Sequence, residues 1–92
     1  MVEDTIEQLR HLVVERLDVN LTLADIAPDT PLLSGGLGLD SMAIIELVSL
    51  TEQSFGVEFG EDELNIDTFA TVRALATVVE TLRARETQAA AG

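Results

Sequence analysis

The chain has 92 residues, and 17 Asp and Glu against 5 Lys and Arg give it a formal charge of −12. That length holds one domain around one core, and a hydrophobic content of 47% is a folding composition despite the charge. A surface this acidic repels phosphate backbones and anionic lipid, which argues against nucleic-acid and membrane-surface binding and for protein partners with basic patches. The absence of Cys removes disulfides, thiolate nucleophiles and zinc–sulfur sites. All five basic residues are Arg, there is one His, and Tyr and Trp are missing, so the usual general bases and Schiff-base formers are scarce. The acidic N-terminus does not read as a secretory signal, and no apolar run approaches the roughly 20 residues of a membrane span. The expectation is a soluble, monomeric cytoplasmic protein without catalytic activity of its own.

In chain order, Asp4-Thr5-Ile6-Glu7 has the form of a capping box, and Ile6, Leu9, Leu12, Val13 and Leu17 follow at helical spacing. They predict a first helix over residues 5–17. Residues 18–39 form a long connection containing Pro28, Pro31, Gly35, Gly36 and Gly38, beyond the usual loop length. Its apolar residues, Leu21, Leu23, Ile26, Leu32, Leu33, Leu37 and Leu39, read as pins that hold it on the helices.

Residues 41–54 return to a helical pattern with two faces. Ile44, Leu47, Val48, Thr51 and Phe55 form the core side; Met42, Ile45, Glu46, Ser49 and Gln53 lie opposite. Met42 and Ile45 on that second face, beside Glu46, suggest a small contact surface. Gly56 is a C-cap candidate, residues 61–66 suit a short third helix with acids at its N-terminal end, and Thr71 is an N-cap for a last helix to about Arg85. Val72, Leu75, Val79 and Leu82 are its buried stripe, Arg83 and Arg85 suit its C-terminal dipole, and residues 86–92 read as a flexible tail. The ordered core is placed at about residues 5–85 of a single domain, 1–92.

Few groups can carry chemistry. His11 has Glu15 four residues on, which reads as a surface pair, and no second His or Cys completes a metal cluster. Glu61, Asp62, Glu63 and Asp67 lack the spacing of a calcium loop; no metal site is expected. The Gly-rich run before Ser41 lacks the Gly-Lys-Ser/Thr ending of a phosphate-binding loop. It delivers Ser41 to the start of the second helix. There either Asp40 or Ser41 acts as N-cap, and a capping Ser41 would cost about 1 kcal/mol when changed to Ala. An exposed Ser41 hydroxyl would also lie where free N–H groups and the helix dipole stabilise an attached phosphate. Since nothing nearby activates it, another protein would have to modify it.

Leu37-Gly38-Leu39-Asp40-Ser41-Met42 resembles the Gly-x-Asp-Ser-Leu signature of acyl carrier proteins, with Met42 in place of the usual Leu. The resemblance runs from about Thr5 to Arg85 and includes Glu46-Leu47-Val48, Phe55-Gly56-Val57 and Phe69-Ala70-Thr71-Val72. It implies an all-α, acyl-carrier-like four-helix bundle with a long first loop and a short third helix. It implies that a phosphopantetheinyl transferase attaches the 4′-phosphopantetheine arm of coenzyme A to Ser41, and that the arm carries an acyl group as a thioester. Asp40, Met42, Ile45, Glu46 and Ser49 are the partner-contact residues by the same resemblance. The sparse acidic charge of the second helix, the Gly35-Gly36 insertion and the longer segment over residues 58–69 look like discrete carriers of polyketide or nonribosomal-peptide pathways. Expected partners are the transferase and an acyltransferase, ketosynthase or adenylating ligase. An aminoacyl or fatty-acid-type carrier, and an unloaded acidic adaptor using only the second-helix face, are the alternatives.

Overall fold

The computed structural model describes residues 2–17, 20–33 and 36–91, with side chains as far as residue 85. Three α-helices, α1 (Val2–Glu15), α2 (Ser41–Phe55) and α3 (Val72–Ala91), make up the regular structure of the described residues, with a single 3-10 turn at Leu23–Asp25. Helix α1 packs mainly on α3 and more lightly on α2. The core between them is aliphatic: Ile6, Leu9 and Val13 from α1, Leu47 from α2, and Val72, Leu75, Val79 and Leu82 from α3 are all buried.

Helix α1 begins at Val2, ahead of the expected capping box. Val2 packs on the core, and Glu3 and Asp4 fall in the first turn, where the positive end of the dipole favours them. Glu7 is therefore no cap; it pairs with Arg10 at 2.8 Å. The helix closes at Glu15, slightly short of the expected end, and the Leu17 amide folds back on the Leu12 carbonyl at 3.2 Å while its side chain stays buried.

The long connection is held at both ends of its path. Ile26 and Leu32 are fully buried and Leu39 nearly so, while Leu21 and Leu37 pack partly against the core and Leu23 and Leu33 are half-buried. Arg10 reaches across from α1 and donates Nε to the Ile26 carbonyl and an Nη to that of Leu23 at 2.7 Å. Further on, the loop meets the start of α3. The Leu32 amide donates to Ala70 at 2.9 Å, and Pro28 accepts the Arg73 amide at 2.9 Å, one of the α3 donors that lacks an intrahelical partner. Thr71 is the N-cap of α3 as expected, its Oγ1 accepting the Ala74 amide at 3.0 Å.

Two segments depart from expectation. Residues 61–66 form consecutive turns, with Glu63 to Gly60 at 3.1 Å, Leu64 to Glu61 at 3.3 Å and Asn65 to Glu63 at 3.1 Å, and no helix. Asn65 competes for the backbone: it donates Nδ2 to the Asp62 carbonyl at 2.6 Å and accepts the Thr68 amide on Oδ1 at 2.9 Å. The expected four-helix pattern is thus three α-helices and a turn segment, secured by the stacked rings of Phe59 and Phe69, 5.9 Å between centroids. At the other end, α3 continues to Ala91, past the expected stop near Arg85. Arg83 and Arg85 consequently do not sit in a last turn. Arg83 lies over the Phe55 ring and beside Glu80, and Arg85 reaches Glu63 at 3.9 Å. The side chains of the expected tail, 86–92, lie outside the described residues.

Candidate functional site

The path into Ser41 is set by a tight reversal. The amides of Leu37, Gly38 and Leu39 donate to the carbonyls of Pro31, Leu33 and Leu32 at 2.8, 3.0 and 2.9 Å. Gly38 has φ +67°, a left-handed conformation that side chains disfavour, and a Cβ on Gly36 would come within 2.1 Å of the Pro31 oxygen. Gly36 is therefore required for close backbone approach; Gly35 lies outside the described residues.

Asp40, in extended conformation, is the N-cap of α2, and its Oδ1 accepts the Ala43 amide at 2.9 Å. Ser41 is the first helical residue, exposed, and its hydroxyl has no hydrogen-bond partner among the described residues. Of the two capping candidates the structure thus selects Asp40. Division of labour follows: the carboxylate holds the helix, and the hydroxyl is left for other chemistry. The Ser41 and Met42 amides precede the first residue able to bond back along the helix, so they are free donors at its positive end.

The remaining candidate residues fall where the helical wheel puts them. Met42 is 77% exposed and Ile45 67%, with Glu46 and Ser49 also exposed, while Leu47 and Thr51 are buried and Ile44, Val48 and Phe55 half-buried. Glu52, the other acid of α2, is half-buried and turns inward, and its Oε2 accepts the Phe59 amide at 2.8 Å. Beside Ser41 runs an open groove of about 610 Å³, floored by Leu39, Ile44, Val48 and Phe69. Leu64 and Ile66, 50% and 75% exposed, line it opposite Ile45. Sequence reasoning missed these two, because a helical reading of residues 61–66 did not indicate that they would lie across from α2; their only signal was apolar character in an acidic segment.

His11 takes no part. Its Nδ1 is 3.0 Å from Glu15 on the exposed side of α1, in a groove that reaches Phe55 at the far end of α2. No cluster of potential metal ligands occurs among the described residues. Nor is any described helix long and apolar enough to cross a membrane.

Residues 7–79 match the sequence profile of the phosphopantetheine attachment site family. The chain belongs to this carrier-protein family. The chain is also 38% identical over 63 residues to the acyl carrier protein of Zymomonas mobilis subsp. mobilis, covering 68% of this chain and 77% of that protein. Among solved structures it superimposes, with a TM-score of 0.72 and 25% identity over 84% of this chain and 97% of the other, on the carrier from Agrobacterium tumefaciens. That carrier was crystallised with an engineered Bradyrhizobium japonicum glycine:[carrier protein] ligase and ATP. Proteins of this family carry 4′-phosphopantetheine and have no catalytic activity of their own. The residues here suit the group: a solvent-facing hydroxyl, free amides beside it for a phosphodiester, and an adjoining, largely apolar open groove.

Proposed function

We propose that this carrier holds an acyl or aminoacyl group as a thioester on a 4′-phosphopantetheine arm attached to Ser41, and presents it to enzymes of polyketide or nonribosomal-peptide type. The observation that carries the reading is the unpartnered, exposed Ser41 hydroxyl at the capped start of α2. A phosphopantetheinyl transferase joins Ser41 Oγ to the phosphopantetheinyl phosphorus of coenzyme A as the pyrophosphate bond breaks, adenosine 3′,5′-bisphosphate leaves and the hydroxyl proton is given up, and the amides of Ser41 and Met42 favour the negative charge placed there. The arm supplies the thiol that a cysteine-free chain lacks. Asp40, Met42, Ile45, Glu46 and Ser49 form the docking face for the transferase and for an acyltransferase, ketosynthase or adenylating ligase. Modest exposed area and acidic charge suit brief encounters of a monomeric cytoplasmic carrier with basic partners.

Among cargoes, the likeness to a carrier crystallised with an amino-acid ligase favours an aminoacyl group. The test is to supply the arm-bearing protein with ATP, single amino acids and an adenylating ligase, and to follow intact mass. The expected result is one added aminoacyl group that neutral hydroxylamine releases and that Ser41→Ala never acquires. Cargo that survives hydroxylamine, or that appears on Ser41→Ala, contradicts thioester carriage on Ser41.

A further inference from the structure

Among the described residues the buried polar side chains are partnered, with one exception. Thr5 donates to Glu80 at 3.1 Å, and the Thr68 hydroxyl donates to Asn65 Oδ1 at 3.2 Å. On α3, Thr77 and Thr81 bond back to the carbonyls of Arg73 and Thr77, both at 3.0 Å. Thr51 does neither. It is fully buried on the core side of α2, and its Oγ1 has no hydrogen-bond partner. An idle hydroxyl of this kind is destabilising, and a valine of the same shape would fill the site without it.

The position of Thr51 relates it to the groove beside Ser41. Ser41, Ile44, Ile45 and Val48 form the α2 side of that groove. Thr51 follows Ile44 by two helical turns, so it faces within about 20° of the same direction. It lies about 15 Å from Ser41 along the helix axis, at roughly 1.5 Å per residue. The opposite wall carries Leu64 and Ile66 and consists of turns. Asn65 ties it to the Asp62 carbonyl, and Glu63 Oε1 accepts the Gly60 amide at 2.9 Å. No helical ladder has to break for this wall to yield. A largely apolar groove that starts at Ser41, with an unused donor behind its inner end, is complementary to a chain attached at Ser41 that is apolar apart from internal amides.

We propose that Thr51 is the inner contact of the unloaded 4′-phosphopantetheine arm, its hydroxyl donating to an amide carbonyl of the arm; the inference rests on the carrier reading above. A neutral thiol can follow the arm inward, whereas the ammonium of an aminoacyl cargo would lose its hydration there. Stowing is therefore confined to the empty carrier. Thr51 thereby couples the state of loading to the position of the arm: the empty arm is held on the bundle, and the charged arm stays out for the partner.

The test compares the coenzyme A-modified wild type with Thr51→Val, which keeps the shape without the hydroxyl, and Thr51→Ser, which keeps the hydroxyl. Thermal melts check that all three fold. Alkylation of the arm thiol by iodoacetamide, a neutral reagent, is followed by intact mass. The wild-type and Thr51→Ser arms should react about fivefold more slowly than the Thr51→Val arm. In 15N spectra of the wild type, attaching the arm should shift the amides of Val48 and Thr51, and the shifts should vanish in the glycyl form prepared from glycyl-coenzyme A. Equal alkylation rates in wild type and Thr51→Val, or loss of protection in Thr51→Ser as well, overturn the part given to the hydroxyl. Shifts at Thr51 that persist with glycine attached overturn its restriction to the empty arm. No gain in mass from coenzyme A refutes the carrier reading, and this inference with it; a modified chain that fails the thiol comparison refutes the inference alone.

Discussion

At Asp40 and Ser41 two adjacent residues, both good cap formers by type, have separate duties. The sequence placed them at a helix start, but composition did not say which would cap, since Asp and Ser are nearly equal there. The backbone decides: Asp40 is extended and bonds Ala43, while Ser41 already has helical conformation and an idle hydroxyl. It follows that Asp40→Ala should cost about 1 kcal/mol of stability. Ser41→Ala should leave stability within a few tenths of a kcal/mol, since Ala is at least as good a helix former. Urea unfolding of both variants measures this; a Ser41→Ala protein as destabilised as Asp40→Ala would return the cap to Ser41. Glu52 illustrates the opposite difficulty. Its inward turn depends on a backbone amide that arrives from Phe59, seven residues on, and no helical wheel displays such a partner.

Among the elements, those with strong periodicity were legible and those made by side-chain competition were not. The stripes of α1 and α3 gave their buried faces, because a 3.6-residue repeat of aliphatic side chains has one low-energy arrangement against a core. Residues 61–66 carry a reasonable helix composition, yet Asn65 diverts the backbone into turns. The long loop read correctly as pinned by its leucines, whereas its bond to the start of α3 was invisible until Pro28 and Arg73 were side by side. There Asp29 accepts the Arg73 guanidinium at 2.8 Å, and this hydrogen bond holds the Asp29 carboxyl below its ordinary range. A depressed carboxyl contributes stability above its unfolded-state value and loses it as pH falls through the lower folded value. Thermal melts of wild type and Asp29→Asn should therefore differ slightly near neutral pH, converge in acid, and differ less at high salt, because the pair is exposed. A difference that grows on acidification would assign the contribution to something other than this pair.

On the scale of the whole molecule, acidity and the lack of cysteine describe a protein that delegates its chemistry. Its described ion pairs tie loop to helix or stabilise helix surfaces, and the start of α2 is left with carboxylates, exposed apolar side chains and one free hydroxyl. The two grooves at the start of α2 differ in kind, one mostly apolar with Ser41, Asp40 and Asn65 at its edge, the other lined by leucines together with Asn20, Asp40 and Glu46. Neither was legible in the sequence, because each is bounded by segments far apart along the chain. Central to the whole account is covalent attachment at Ser41, and its most direct test is intact-mass spectrometry after incubation with coenzyme A, magnesium and a broad-specificity phosphopantetheinyl transferase. The expected result is a single added phosphopantetheinyl group, mapped to the peptide containing Ser41 and missing from a folded Ser41→Ala. Attachment at another residue, or no gain in mass with several transferases, would contradict it.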